Sequence, residues 1–380
     1  MKNAGLKIII FLFVIPIFTL PIFADSVTNE ISSEVKDEFE EFLRSLPSDV
    51  AELIPSELFS GDFSSLSTEA LDEKSFIDAV TNYVLIGFDD AINSFVGILC
   101  VLIIASVFNV LGKSFSSSGL KNTFSLFSSA CVSLTVFNIC VTLCNRTAQY
   151  IRVLCRVMNS FVPVMTSIYI MSGRISSAAA ANVSMAIFIS LIEDFLLVAL
   201  LPTVQICTCL SIVGSVGEND LSGISKVIKN TFTAVIVFVM SLFMFIFSGK
   251  NLLTQASDSV SLRTVKFAIG SFIPIVGSSV GDALKTVSAG LTLVKNSCGV
   301  MALVAIGFIL IPVIISLILN RMSLGICSGI ASLTGCKKEA KLIGESDSVC
   351  GFMLAMVTCT AILFVFAIAV FIKSSSEVIQ

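Results

Sequence analysis

The sequence has no histidine and no tryptophan, and only 13% of its 380 residues are charged. The missing imidazole excludes histidine-ligated zinc hydrolases and Ser-His-Asp hydrolases, because both depend on a ring nitrogen as metal ligand or base. There is no glycine-rich phosphate loop closing on Lys-Ser or Lys-Thr, so the chain is not expected to hydrolyse nucleotide. Cationic surface is scarce at the start. Residues 25–90 carry 17 of the 27 acidic residues against Lys36, Arg44 and Lys74, a net charge of −14. Such a segment offers nothing to a phosphate backbone, and nucleic acid is not an expected partner. None of the 12 cysteines falls in that segment, which excludes a disulfide-stapled domain there.

What the chain does have is apolar sequence. It is 55% hydrophobic, with a mean hydropathy of +0.99, far above a soluble domain. The fold class expected is therefore all-α, a polytopic membrane helical bundle of about seven spans, one or two of them broken or re-entrant. Residues 1–24 have Lys2 and Lys7 ahead of an apolar run and read as a signal peptide ending near Ala24. An uncleaved anchor is the rival reading. Residues 25–90 form an acidic helical extracytoplasmic segment, 91–373 the membrane domain and 374–380 a short tail. From residue 91 onward the net charge turns to +8, which suits an exported N-terminal segment followed by spans with positive loops inside. The cysteines sit in or beside apolar runs and read as small buried hydrophobes. No cofactor or metal is expected.

One stretch departs from the apolar background. Phe267 to Ser297 is broken at Pro274, and from there Gly277, Gly281, Lys285, Ser288, Thr292 and Lys295 recur at helical spacing, opposite Val276, Val280, Leu284, Val287, Leu291 and Val294. A lysine facing lipid near mid-bilayer costs several kcal/mol or more, so this stripe should face protein or water. Asp282 and Lys285 are three apart and able to pair. Glu193 and Asp194 stand inside an apolar run and need a partner such as Lys285, Lys295 or a bound cation. Asp282 and Asp194 do not lie in a recognisable aspartyl-protease sequence, and an enzyme is not expected. Gly277 and Gly281 form a small-x-x-x-small pair that favours close helix packing.

Elsewhere, Ile31 to Leu46 has one apolar stripe among acidic residues and predicts an amphipathic helix; a second, from near Glu69, is expected to pack on it as a small hairpin. Spans are predicted at 91–111, 124–144, 183–201, 231–248, 299–319 and 351–372. Asn145, Gln149, Arg152, Arg156 and Asn159 share one helical face, read as an interfacial helix rather than a wet cavity lining. Pro202 is expected to interrupt the chain and leave 203–217 as a half-span or a tilted short helix. The loop around Arg321, Lys337, Lys338 and Lys341 is the best candidate for a cytoplasmic segment.

The run Lys266-Phe267-Ala268, then Phe272-Ile273-Pro274-Ile275-Val276-Gly277, Thr286-Val287-Ser288-Ala289-Gly290 and Val294-Lys295-Asn296-Ser297-Cys298-Gly299-Val300, with the signal-like start and Ser60-Gly61-Asp62, resembles the stage III sporulation protein AE family. The specific likeness lies in residues 260–312. It implies a multi-pass protein of the mother-cell membrane around the forespore, with its N-terminal segment in the intermembrane space. There it would be a platform subunit of a channel or secretion-like complex, beside an ATPase, ring-forming proteins and a forespore-side partner, sustaining late forespore gene expression. No catalytic residue is carried by the resemblance. The alternative is a self-contained permease for a small solute, which should show inverted repeats with paired broken helices.

Overall fold

The computed structural model describes residues 33–46, 73–114, 118–172, 174–216, 221–272 and 277–373. The predicted signal, the linker around Gly61 and the tail from 374 lie outside them. Among the described residues there are seven α-helices and no strand: α1 (Ser33–Ser45), α2 (Glu73–Ser114), α3 (Ser118–Met171), α4 (Ile175–Val216), α5 (Ser222–Phe272), α6 (Gly277–Leu333) and α7 (Lys337–Lys373). The chain is an all-α polytopic bundle. Six helices hold stretches long and apolar enough to cross a membrane: 88–112, 122–171, 175–215, 222–250, 298–333 and 337–373.

The helices are longer than the predicted spans. At 1.5 Å per residue, α3, α5 and α6 are each roughly 75–85 Å long, against a hydrocarbon core of about 30 Å. They run unbroken where interruptions were expected. Residues 145–159 are a section of α3, not a separate interfacial helix, and 203–217 is not a half-span, since 203–216 continue α4 through Pro202. Proline removes one helical donor, here the usual partner of the Val198 carbonyl, and the packing of α4 against α3 and α5 outweighs the loss of that one bond.

Consecutive helices from α2 onward are separated by five residues or fewer, which makes neighbours antiparallel. The described turn after α6 shows how tightly this is done. Gly335 takes φ 82°, the left-handed region that only glycine enters freely, and Cys336 N–H closes on the Ala331 carbonyl at 2.9 Å. The turns after α2, α4 and α6 define one end of the bundle, here the basal end; α1 and the C-terminus of α7 lie at the other, apical end. Helix α7 is the centre, touching α3, α4, α5 and α6. Its buried positions recur on every turn from Leu342 to Phe371, so it is apolar nearly all round.

The amphipathic reading of α1 holds, with Phe39, Phe42, Leu43 and Leu46 buried and Arg44 pairing outward with Glu40 at 3.3 Å. Helix α1 packs on α3, where Phe42 meets Phe161 at 5.3 Å between ring centroids; the segment after Glu73 is the start of α2 and runs straight into the first span. The expected packing of that segment on α1 falls on side chains outside the described ones.

Candidate functional site

At the apical end the elements converge on one buried cation. Lys295, on α6, is 2% exposed, and its Nζ lies 5.2 Å from the Tyr169 ring centroid and 4.9 Å from that of Phe371. Phe371 stands edge-on to both Tyr169 and Phe161, at 5.3 and 5.8 Å. The chain of rings thus runs from Phe42 on α1 through Phe161 to Phe371 and the lysine. Arg174, 5% exposed in the turn between α3 and α4, is a second cation close by, anchored through its N–H to the Tyr169 carbonyl at 2.9 Å. Ring faces carry negative potential, so two rings about one ammonium offset part of its desolvation, each contact contributing about 2 kcal/mol when water is excluded. Close packing surrounds this cage. A Cβ on Gly299, one turn below Lys295, would overlap the Ile372 side chain, coming within 2.7 Å of Cδ1, so α6 and α7 approach here as only glycine permits.

The other members of the predicted stripe fare differently. Pro274 lies outside the described residues. Gly277, Gly281, Asp282, Lys285, Ser288 and Thr292 are all helical positions in the first four turns and a half of α6, and their side chains lie outside the described ones. Eighteen residues of α6 precede Lys295, and Phe371 is near the end of α7. Residues 277–294 therefore extend α6 by roughly 27 Å on the apical side of the cage. Glu193 and Asp194 are not brought to Lys295. Asp194 is exposed on α4 and accepts from Ser190 at 3.4 Å, and Glu193 is half-buried facing Cys155 of α3. The polar face of α3 is exposed as its spacing requires, with Asn145, Gln149, Arg152, Arg156 and Asn159 outward and Ile151, Leu154 and Met158 inward.

A second polar assembly has no counterpart in the sequence reading. Towards the basal end Arg321 of α6 donates to both carboxylate oxygens of Asp347 on α7, at 2.9 and 3.4 Å. Lys229 of α5 donates to Ser348 at 2.7 Å, and Arg146 of α3 pairs with Asp90 of α2. Ser323 donates to the Ala91 carbonyl, which ties the two ends of the band together. The guanidinium of Arg321 rests against Gly351, where a Cβ would come within 3.1 Å of Nη1. Nearer the basal end Glu339 is buried and accepts from Ser128 at 2.8 Å and Ser129 at 3.1 Å. These partners lie 26 to 232 residues apart, so no local spacing signals them. Among the described residues no cluster of metal-ligating side chains is found. The arrangement provides buried charges, rings and close helix packing.

Comparison with known proteins matches this architecture to one family. The profile of the stage III sporulation protein AE family matches residues 59–375, taking in all six spans. Stage III sporulation protein AE of Bacillus subtilis is 22% identical over 209 residues, 54% of this chain and 52% of that relative, so the match spans about half the relative's length. No solved structure matches. The profile covers the caged lysine, the polar band and the whole of the membrane bundle, and the chain belongs to the stage III sporulation protein AE family.

Proposed function

We propose that this protein is a membrane platform subunit of a sporulation channel or secretion-like complex linking mother cell and forespore. Family membership supports a sporulation role, and six apolar helices support a multi-pass membrane location. The finer reading places the basal end in the mother-cell cytoplasm and the apical end between the two membranes that surround the forespore. Its main support is the distribution of charge. Lys113, Lys121, Lys226, Lys337, Lys338 and Lys341 all fall near basal turns, whereas the apical end receives the acidic α1. The partners proposed are an ATPase, ring-forming proteins and a forespore-side protein, with membrane lipid around the bundle; the reading has no catalytic role.

The self-contained permease is the second reading, and a specific observation weighs against it. Such folds place the substrate near mid-membrane between discontinuous helices. Here the described spans are continuous through Pro163, Pro202 and Pro312, and the described part of α7 is packed by buried side chains over nearly its whole length. Affinity purification of the tagged full chain from sporulating cells decides between the two. Recovery with an ATPase and ring-forming proteins is the expected result; a lone protein that moves a solute across liposomes would establish the permease instead.

A further inference from the structure

A cavity of about 510 Å³ opens between the start of α5 and the basal half of α7. Among the described residues three lysines line it, Lys226 and Lys229 from α5 and Lys341 from α7, with one carboxylate, Glu345. Lys229 is 8% exposed and reaches Ser348 at 2.7 Å. Two polar atoms in the wall are buried without a hydrogen-bond partner: the hydroxyl of Ser225, a residue 1% exposed, and Oε2 of Glu345. Buried polar groups are almost always satisfied, so these two atoms point to something that occupies the space. The first turn of α5, with Ser222 and Gly223 in the wall, adds the positive end of a helix dipole.

We propose that this cavity binds a phosphate group. Three ammonium groups, a hydroxyl and a helix N-terminus converge on it, and the net charge of the described wall residues, two positive, matches a singly or doubly charged oxyanion rather than a polyphosphate. Glu345 limits that charge and leaves an acceptor for a hydroxyl carried by the same ligand. The cavity lies where the apolar stretches of α5 and α7 begin, at the level of lipid headgroups, and the outer face of α5 beside it exposes Ile224 and Val227 to acyl chains. The site is independent of the proposed complex.

The test uses the purified full-length protein in detergent, equilibrated in turn with phosphatidylglycerol, phosphatidylcholine and inorganic phosphate, and bound lipid counted by native mass spectrometry. Preferential retention of phosphatidylglycerol, lost about tenfold in Lys226→Ala/Lys341→Ala and raised in Glu345→Gln, is expected for a headgroup site. Both lysine substitutions remove exposed side chains, and Ser225→Ala, which keeps the packing, should weaken retention in the same direction. Displacement of the lipid by millimolar inorganic phosphate would support the phosphate site and assign its ligand to solution. Equal retention of both lipids without competition by phosphate, or wild-type retention in the double lysine variant, would overturn the proposal.

Discussion

Phe371 is the residue on which the apical packing turns. Fully buried, it touches Tyr169, Phe161 and Lys295 at once, and through Phe161 it reaches Phe42 of α1. Truncating it to alanine leaves a cavity the surrounding rings cannot fill, and Phe371→Ala should lower stability by about 3–5 kcal/mol in denaturant titrations of the detergent-solubilised protein. Lys295 behaves otherwise. A buried charge contributes little net stability beside an apolar side chain of similar volume, so Lys295→Met should unfold within about 1 kcal/mol of the parent. Our account assigns the lysine to assembly, and the same variant should lower late forespore gene expression while its membrane level is unchanged. Normal expression in Lys295→Met, and in the double Lys285→Leu/Lys295→Leu variant, would remove the functional role of the stripe.

At the scale of elements, the docking of α1 and the contact of α6 with α7 are each open to one substitution. Phe42→Asp places a charge against Phe161 and should free α1 without disturbing the spans. Arg44, protected from trypsin while its helix is docked, should then be cut several-fold faster; unchanged cleavage would mean that α1 is not held through Phe42. Gly299→Leu should separate α6 from α7 beside the cage and reduce stability by about 1–3 kcal/mol, the usual effect of overpacking, read in the same titration. The amphipathic α1 was legible in the sequence because its 3.6-residue stripe is local, and so was the buried side of α3 from Ile151 to Met158. The length of the helices was not. Pro202 reads as a stop in water, yet within a packed apolar helix it removes only one donor, and Arg152 and Arg156 read as interfacial although they lie on the exposed face of a continuous helix. The polar band and the phosphate cavity were illegible for a different reason: Arg321 finds Asp347, and Lys229 finds Ser348, only once α5, α6 and α7 are packed together.

For the molecule as a whole, six antiparallel spans place α1 and the end of α7 on one face and the lysine-bearing turns on the other. Isolated pairs such as Arg146 with Asp90, both well exposed, contribute about 0–1 kcal/mol each, so apolar packing around α7 rather than the polar band carries the fold. The apical face unites the docked α1, the caged Lys295 and the extension of α6 beyond it, and our central claim is that this face lies outside the mother-cell cytoplasm, where an assembly partner meets it. Alkaline phosphatase, active only after export, measures this directly when fused in frame after Gly335 or after Gln380. An inactive enzyme at Gly335 and an active one at Gln380 are expected; activity at Gly335 with none at Gln380 would mean that the molecule sits the other way round in the membrane.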